Sequence, residues 1–299
     1  MNALGIDGGA SSSKWVVLDG TGLPLAEGRA GPITGHLYSP AARAQAATEL
    51  EQILSQARAQ APAAIVAGIT GLDADTPEAR WLAGYMAEAS RLPPERVRVF
   101  NDMDLAYRAH FAPGQGILVY AGTGSIAYHL TQEGAVVRAG GHGYLIGDEG
   151  GGFWIGKTAL RQWLHWQDSG LNPQNFPLAQ QLAQAIGAEE WPRIREYVYS
   201  GGRQAVAALA PAVGRAAALG DEAARAILGQ AGQALAHLAL TLRSRLGERP
   251  ILLTGGALRV SPLLEEGARA CVDLEVSLAS FAQTAAHLAL KILHQHPGR

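Results

Sequence analysis

The sequence predicts an α/β protein made of two similar domains, and three observations lead to that prediction. Apolar segments of strand length alternate with helical segments through the first third of the chain. A unit of strand, glycine turn and strand opens the chain and recurs at residues 116–130. The second half then carries alanine, leucine and arginine at helical spacing. Alternation is typical of a mostly parallel sheet flanked by helices, and the recurrence suits two domains that begin with the same hairpin.

The elements of the first third follow from strand and helix signals. Buried apolar runs predict the strands. Thr76 and Pro77 mark a helix start, because threonine caps a helix and proline suits its first turn. The predicted strands are residues 3–7, 14–19, 24–29, 63–69 and 97–100, and the predicted helices are residues 40–60 and 76–90.

The second half of the chain is mostly helical. Helical spacing predicts helices at residues 151–167, 178–186, 203–218 and 222–246. The stretch PILLTGGALRV predicts a strand, a turn and a helix. A strand near residues 273–278 and an amphipathic helix over residues 281–295 follow it.

Composition excludes several classes of protein. With 299 residues, 48% of them hydrophobic and 17% charged, the chain can bury a large core. A formal net charge of −2 without a basic block argues against nucleic acid or a membrane as the partner. No apolar run reaches the roughly 18 uncharged residues of a membrane span. The first residues lack the pattern of a signal peptide, so a soluble cytoplasmic protein is expected.

Two features are assigned to the core rather than to a site. Cys271 is the only cysteine, which excludes an internal disulfide and any cluster held by the cysteines of one chain. We expect it to be a buried small apolar side chain. Trp154, Trp163 and Trp166 fall at helical spacing, which is more typical of core packing than of a stacking surface.

Three glycine turns each follow an apolar strand, in the stretches GIDGGASSS, YAGTGSIA and LLTGGAL. Glycine lets a ligand approach the backbone, and backbone N–H groups beside hydroxyls suit phosphate oxygens. An ordinary tight hairpin is the alternative for the first turn. Three such turns in this order, with Asp7 at the end of the first strand, favour phosphate binding. No Walker A sequence is present, so a P-loop mechanism is not supported.

These turns resemble those of the sugar kinase, actin and Hsp70-like ATPase superfamily, and more narrowly those of the N-acetylglucosamine kinase and BadF/BadG/BcrA/BcrD ATPase family. The resemblance extends over nearly the whole chain and is strongest at residues 5–14, 101–106, 119–127, 140–160 and 252–258. It implies two ribonuclease-H-like domains of the actin-like ATPase type with an active-site cleft between them. The first would comprise residues 1–107 and 281–299, and the second residues 108–280 with helical insertions.

The resemblance also implies a site for ATP and Mg²⁺. GIDGGASSSK is similar to the family's first phosphate loop, in which Asp7 would hold the metal through water. AGTGS is similar to the second phosphate loop, TGGAL to the adenosine loop, and Gly214 falls where the family lines its adenine pocket. The implied nucleotide-site residues are Asp7, Gly8, Gly9, Ser11, Ser13, Lys14, Gly122, Thr123, Gly124, Gly214, Gly255 and Gly256. Phosphoryl transfer needs positioning and charge neutralisation, and Mg²⁺ takes few protein ligands.

VFNDMDLA, residues 99–106, ends a strand with Asn101 and Asp102. From the residues alone the pair reads as a helix cap, because aspartate at a helix start accepts hydrogen bonds from free N–H groups. The resemblance implies instead that Asp102 is the catalytic base, which accepts the proton of the attacking hydroxyl. Asp104 is expected to be a solvated residue at the helix start.

AGGHGYLIGDEGGGFW, residues 139–154, resembles the family's acceptor signature. Glu149 within it could equally be a first-turn residue favoured by the helix dipole. The sequence departs from the family twice. His142 stands where hexosamine kinases commonly have tryptophan, and Thr34, Gly35 and His36 occupy a loop that commonly supplies an asparagine. The implied acceptor residues are Asp102, Ser125, Gly141, His142, Gly143 and Asp148.

The resemblance implies an ATP-dependent kinase that phosphorylates a hydroxyl of N-acetylglucosamine or a related hexosamine or hexose. Because both departures make the acceptor pocket more polar, N-acetylglucosamine is expected to be a weaker substrate than in typical members. A BadF-type activator ATPase is one alternative, but it needs cysteines for an iron–sulfur cluster. A non-catalytic sugar or nucleotide sensor is the other, and the presence of Asp102 speaks against it. The expected partner is a small sugar, with no nucleic acid or membrane, and a homodimer is compatible with the resemblance.

Overall fold

The structure, a computed structural model, describes residues 1–9, 12–72 and 76–295. The chain forms two compact units. Unit 1 comprises Met1–Ala112 and Ala279–Arg299, and unit 2 comprises Pro113–Leu278. Each unit is built on a five-stranded sheet. Within the residues described, no helix combines the length and the apolar character needed to cross a bilayer.

The sheet of unit 1 has the strand order β3-β2-β1-β4-β5. Its strands are β1 (Asn2–Gly8), β2 (Ser13–Leu18), β3 (Pro24–Ala30), β4 (Pro62–Ile69) and β5 (Val97–Asn101). The first three strands form an antiparallel meander, while β4 and β5 run parallel to β1. Helices α1 (Pro40–Ala57), α2 (Pro77–Ser90) and α3 (Asp102–His110) and the C-terminal helix (Phe281–Gln295) complete the unit.

Unit 2 repeats this topology. Its strands are β6 (Ile117–Ala121), β7 (Ser125–Leu130), β8 (Val136–Gly140), β9 (Ile251–Thr254) and β10 (Glu275–Ser277), and from one edge their order is β8-β7-β6-β9-β10. The strands β6, β7 and β8 are antiparallel, and β9 and β10 run parallel to β6. Its helices are α4 (Gly152–Asp168), α5 (Pro177–Ile186), α6 (Trp191–Ala207), α7 (Ala210–Ala218), α8 (Glu222–Leu246) and α9 (Leu263–Arg269), so the C-terminal helix is α10.

The predicted fold class is confirmed: the chain is a mixed α/β protein with two sheets of the same topology. The physical basis is visible in the central strands, where Leu4, Ile6 and Ile65 are fully buried because helices cover both faces of the sheet. One face of unit 1 is covered by α10, which lies on β1 at Gly5. A Cβ atom at Gly5 would overlap the backbone of Ala282 and Ala286, so only glycine allows this approach.

The observed elements differ from the sequence-based prediction at three places. The single helix predicted over residues 203–218 is two helices, α6 and α7, because Pro211 lacks the N–H that would continue the ladder to Ala207. The first part of α6 was not predicted, and Gly202 (φ 56°, ψ −146°) interrupts it. The edge strand β8 was also missed, since only one of its residues, Ala139, is buried and its apolar signal is weak.

The core assignments had mixed outcomes. Trp163 and Trp166 are buried, Trp166 stacks on Phe176 with ring centroids 3.9 Å apart, and Trp154 packs against the same core. This part of the prediction is confirmed. The prediction for Cys271 is wrong, because the thiol is exposed in the turn that follows α9.

Candidate active site

The carboxyl end of β1 carries the first predicted phosphate turn. Asp7 is half-buried there and pairs with Lys14 in the antiparallel ladder of β1 and β2. A Cβ atom at Gly8 would lie 2.5 Å from the Ile69 side chain, and one at Gly9 would lie 2.9 Å from the backbone of the same turn. Both glycines are therefore required by packing, independently of any ligand.

The pKa of Asp7 is raised from its ordinary value of 3.8 to about 6. Burial of the carboxylate is the largest cause, and the negative charge of Asp102 raises the pKa further, while the positive charge of Lys14 opposes both. The two carboxylates are thus close enough to repel each other. A cation beside them would relieve this unfavourable electrostatic energy.

The serines and the lysine of this turn differ in exposure. Ser11 lies outside the described residues. Ser13 is fully buried, and its hydroxyl has no hydrogen-bond partner within the described part of the chain. Lys14 is exposed. The assignment of these residues to nucleotide binding stays a prediction.

Asp102 is the first residue of α3 and directly follows β5. The hydroxyl of Thr70 donates a hydrogen bond to Asp102 Oδ2 at 2.9 Å, and the N–H of Met103 donates to Oδ1 at 2.9 Å. The helix cap is Asn101, whose Oδ1 accepts from the same N–H at 2.9 Å. Because Asn101 caps the helix, the carboxylate of Asp102 is not needed for that purpose.

Thr70 forms hydrogen bonds to three parts of unit 1 that are distant from one another along the chain. Its N–H donates to the carbonyl of Gly8 at 2.9 Å, and its own carbonyl accepts from the N–H of Gly35 at 3.0 Å. With the hydroxyl on Asp102, Thr70 ties together the end of β1, the Thr34–His36 loop and the predicted catalytic base. These bonds fix the Thr34–His36 loop relative to Asp102.

Asp104 is not solvated as predicted. It is buried, with 9% of its surface exposed, and its Oδ1 lies 3.0 Å from Arg108 Nε one helical turn later. Its first-turn position in α3 agrees with the prediction. Asp104 is therefore a structural ion-pair partner, whereas Asp102, two residues earlier, accepts a hydrogen bond from Thr70.

In unit 2, the turn of Gly122–Gly124 lies at the N-terminus of α4. The N–H of Gly152 donates to the carbonyl of Gly122 at 2.8 Å, and the N–H of Phe153 donates to the carbonyl of Thr123 at 2.9 Å. These carbonyls satisfy helix N–H groups that no side chain caps. The helix therefore fixes the predicted second phosphate turn in place.

The acceptor signature packs closely on that turn. Asp148 is 4% exposed, has a left-handed backbone (φ 65°), and its Oδ2 lies 3.0 Å from Arg203 Nη2. The hydroxyl of Ser125, which the resemblance assigns to sugar binding, donates to the carbonyl of Glu149 at 2.6 Å. Glu149 is exposed and precedes α4, so it is not a first-turn residue.

The predicted sugar-contacting turn follows β8. Gly141 (φ 67°) and Gly143 (φ 89°) have backbone conformations that favour glycine, and the N–H of Gly141 donates to the carbonyl of Ser125 at 3.0 Å. The side chain of His142 between them is exposed. The structure thus leaves the histidine accessible to a ligand.

The adenosine-loop glycines have different surroundings. Gly255 (φ 120°) follows β9, and a Cβ atom there would overlap the backbone of Ala121. Gly214 lies in α7, where a Cβ atom would overlap the carbonyl of Val260. Gly256 is exposed and has open space around it. Packing alone explains the first two glycines, and their predicted contact with a nucleotide remains untested.

The described residues contain no group of three or more His, Cys, Asp or Glu side chains that could hold a metal ion. A magnesium ion does not require one, because it keeps several water ligands and binds through one or two carboxylates plus substrate phosphates. The interacting pair of Asp7 and Asp102 fits that type of site.

Two residues of the site escaped the sequence analysis. Thr70 directly follows β4, and a polar residue after a buried parallel strand is the signal that could have revealed it. The sequence gives only a weak indication of the role of Arg203. This indication is the pair Gly201 and Gly202, which directly precedes Arg203 inside a helical pattern. Its partner Asp148 lies 55 residues away along the chain.

Comparison with known proteins gives matches over most of the chain. The profile of the BadF/BadG/BcrA/BcrD ATPase family matches residues 4–272. An N-acetyl-D-glucosamine kinase of Dictyostelium discoideum is 25% identical over 287 residues, which cover 88% of this chain and 87% of that protein. An N-acetylmuramic acid/N-acetylglucosamine kinase of Clostridium acetobutylicum is 31% identical over 142 residues. That match covers 47% of this chain and 46% of the relative, so it spans less than half of either protein.

Solved structures show the same fold. A protein of Chromobacterium violaceum, provisionally assigned as an N-acetylglucosamine kinase, superposes with a TM-score of 0.70 at 26% identity and covers 97% of this chain and 98% of its own. A ROK family glucokinase of Streptomyces griseus, solved with glucose and AMPPNP, has a TM-score of 0.63 at 16% identity over 99% of this chain and all of its own. The second likeness concerns the fold alone.

Proposed function

Because the chain belongs to the BadF/BadG/BcrA/BcrD ATPase family, we propose that it is an ATP-dependent kinase that phosphorylates a hydroxyl group of a sugar. The acceptor would be N-acetylglucosamine or a related hexosamine or hexose. This choice is supported by the names of two relatives, which are called kinases of N-acetylglucosamine. The observation that carries the proposal is the carboxylate of Asp102, which Thr70 holds at the carboxyl end of the sheet of unit 1.

Asp102 is suited to the role of general base. It is partly exposed and receives one hydrogen bond on each oxygen, from Thr70 and from Met103, so its orientation is fixed. A carboxylate accepts two or more hydrogen bonds and can still receive the proton of a sugar hydroxyl. Transfer of that proton as the hydroxyl approaches the γ-phosphate is the step that we assign to Asp102.

The glycine turns are proposed to bind phosphate groups of the nucleotide. In unit 1 Asp7 lies near the end of β1, and in unit 2 the Gly122–Gly124 turn is held in place by α4. Rigid donors are favourable because phosphoryl transfer depends on positioning and on neutralisation of phosphate charge. Asp7, with Asp102 nearby, would hold a magnesium ion, whose chemistry is to neutralise the phosphate oxygens.

Two other functions are less well supported. An activator ATPase coupled to electron transfer would need several cysteines, and the chain has only Cys271, which is exposed and far from any glycine turn in the sequence. A non-catalytic sugar or nucleotide sensor would have no use for the hydrogen-bonded carboxylate of Asp102. Neither alternative predicts transfer of phosphate from ATP to a sugar.

A coupled assay of ADP release tests the proposal. We expect release that depends on a sugar, is lost with a chelator, returns with Mg²⁺ and is indifferent to oxygen. Asp104→Asn serves as the matched control for Asp102→Asn, because Asp104 lies on the same helix turn and only pairs with Arg108. ADP release without a sugar requirement, or a coloured and oxygen-labile protein, would favour the activator function.

A separate proposal concerns which sugar is the preferred acceptor. It is based on the polar side chains in the turns that the resemblance assigns to acceptor binding. His142 is exposed, its imidazole can donate and accept hydrogen bonds, and it offers a smaller apolar face than tryptophan. We therefore expect glucosamine or glucose to have a higher kcat/KM than N-acetylglucosamine, and His142→Trp to shift the preference toward the acetylated sugar. If N-acetylglucosamine is the best substrate and His142→Trp changes nothing, this proposal is wrong.

A further inference from the structure

Arg203 makes the ion pair that holds the acceptor turn of unit 2. Its Nη2 lies 3.0 Å from Asp148 Oδ2, and the side chains of the two residues are 38% and 4% exposed. The guanidinium carbon also lies 5.5 Å from the centre of the Tyr144 ring. Arg203 directly follows Gly202, whose backbone interrupts α6, so the position of this arginine depends on a break in the helix.

The ion pair lies directly against the second phosphate turn. A Cβ atom at Gly124 would lie 2.8 Å from Arg203 Nη2 and would overlap the carboxylate of Asp148. One at Gly151 would lie 2.7 Å from the Cα atom of Gly124. The absence of side chains at these glycines lets the carboxylate and the guanidinium reach the turn itself.

Only one oxygen of Asp148 is used within the described part of the chain. Oδ2 accepts from Arg203, while Oδ1 accepts no hydrogen bond from the described residues. A buried carboxylate without a counter-charge is strongly unfavourable, and Arg203 provides that charge. Asp148 has a positive φ, a conformation that is strained for residues other than glycine. Such strain persists only where surrounding contacts enforce it.

We propose that Arg203 is a positioning residue for the acceptor: its guanidinium holds Asp148 against the Gly122–Gly124 turn, with one carboxylate oxygen left to accept a hydrogen bond from a sugar hydroxyl. The inference rests on the proposed function in taking a sugar as the ligand. It adds Arg203, a residue of α6, to the acceptor residues that the resemblance implies. Arg203 acts through Asp148 and touches no reacting atom.

Direct binding tests this role without requiring turnover. The dissociation constants of glucose, glucosamine and N-acetylglucosamine, and separately of the ATP analogue AMPPNP, are measured by calorimetry. The proteins compared are wild type, Arg203→Met, Arg203→Lys, Asp148→Asn and the double variant that combines Arg203→Met with Asp148→Asn. The matched control is Arg193→Met, which removes an arginine from the same helix and breaks an exposed ion pair with Glu196. Thermal unfolding verifies that each variant is folded.

We expect Arg203→Met to weaken sugar binding by about 10- to 100-fold, the range for loss of a charge-assisted hydrogen bond, while AMPPNP binding changes less than about threefold. Arg203→Lys should recover part of the loss, and the double variant should bind sugar no worse than Asp148→Asn, because the two residues act as one unit. Arg193→Met should bind like wild type.

Four results would overturn the inference. Arg203→Met could bind sugar like wild type, it could lose AMPPNP instead of sugar, or the double variant could show additive losses. A wild type that binds none of the three sugars also overturns it, since no acceptor site would then exist for Arg203 to support. If the wild type binds a sugar but does not phosphorylate it, the proposed kinase function fails while the binding data still decide the role of Arg203.

Discussion

The hairpin that opens unit 1 and the hairpin that opens unit 2 have the same strand order but different chemistry. At the end of β1 stands Asp7, a carboxylate with a raised pKa, whereas at the end of β6 stands Ala121, followed by the Gly122–Gly124 turn that docks on α4. Unit 1 also places Asp102 directly after its edge strand β5, and the corresponding edge strand of unit 2 is the short β10. The end of the first strand thus carries a carboxylate in unit 1, whereas in unit 2 it leads into a backbone turn that is hydrogen-bonded to α4.

This difference teaches where mutations should act. In unit 1 the sensitive groups are carboxylates held by hydrogen bonds, so charge and hydroxyl substitutions should change catalysis. In unit 2 the sensitive positions include Gly124, where an added methyl group would overlap the carboxylate of Asp148 and should change structure and binding. The predictions below run from the largest expected effect to the smallest.

Asp102→Asn is expected to have the largest effect. It should lower kcat by about 10²–10⁴-fold, the range for a lost general base, because the amide cannot accept the sugar proton. AMPPNP binding and thermal unfolding should change little. Steady-state kinetics with the best acceptor provide the measurement, and Asp104→Asn, which should cost stability but keep turnover within a few-fold, is the control. Near-normal turnover in Asp102→Asn would contradict the assignment.

Asp7→Asn should stabilise the ligand-free protein at pH 8 but not at pH 4. The folded-state pKa of Asp7 is raised to about 6, so its contribution to stability is fully present below the unfolded value of 3.8 and is lost as the pH rises through about 6. A change of this size corresponds to roughly 3 kcal/mol, an upper value for the gain on removing the charge. Urea unfolding at both pH values measures it, and an equal effect at pH 4 and pH 8 would refute the electrostatic explanation.

Gly124→Ala should destabilise unit 2 by about 1–3 kcal/mol, because the new methyl group overlaps the carboxylate of Asp148. The control is Gly229→Ala, a helical glycine with no atom within 4 Å of the added Cβ, which should be neutral or stabilising. Urea unfolding compares the two variants. If Gly124→Ala is as stable as Gly229→Ala, the close packing described for the turn is not a source of stability.

Thr70→Val tests the smallest of these effects. Valine keeps the shape and the backbone hydrogen bonds of Thr70 but loses the hydroxyl that donates to Asp102, so kcat should fall about tenfold with little change in the KM of either substrate. Thr70→Ser should restore kcat. Thr48→Val, which removes an exposed hydroxyl bonded to a helix carbonyl, is the control. A Thr70→Ser variant as slow as Thr70→Val would show that the hydroxyl is not the cause.

Much of the fold and part of the site could be predicted from local sequence. The strands around the glycine turns and the position of Asp102 at a strand end depend on neighbouring residues, so their signal is contained in short stretches. Thr70 and Arg203 were missed because their roles arise from contacts 32 and 55 residues apart along the chain. The break between α6 and α7 was missed because the alanine-rich pattern of residues 203–218 outweighed the signal of Pro211.

The structure was also needed to explain why glycine occupies the positions in the turns. The sequence suggests that Gly8, Gly124 and Gly255 leave room for a ligand, but each of them is also required by contact with other parts of its own unit. A glycine-rich motif alone does not separate these two causes. Substitution at an open position such as Gly256 and at a packed one such as Gly255 would separate them, because only the packed position should lose stability.

The fate of the γ-phosphoryl group tests the central claim most directly. Enzyme in excess is mixed with Mg²⁺ and γ-³²P-labelled ATP, with and without the best acceptor, and the labelled products are separated after a single turnover. We predict that the label appears in a sugar phosphate when the sugar is present, and that Asp102→Asn forms this product about 10²–10⁴-fold more slowly. Label found as inorganic phosphate, at the same rate with and without sugar and unchanged in Asp102→Asn, would contradict the account.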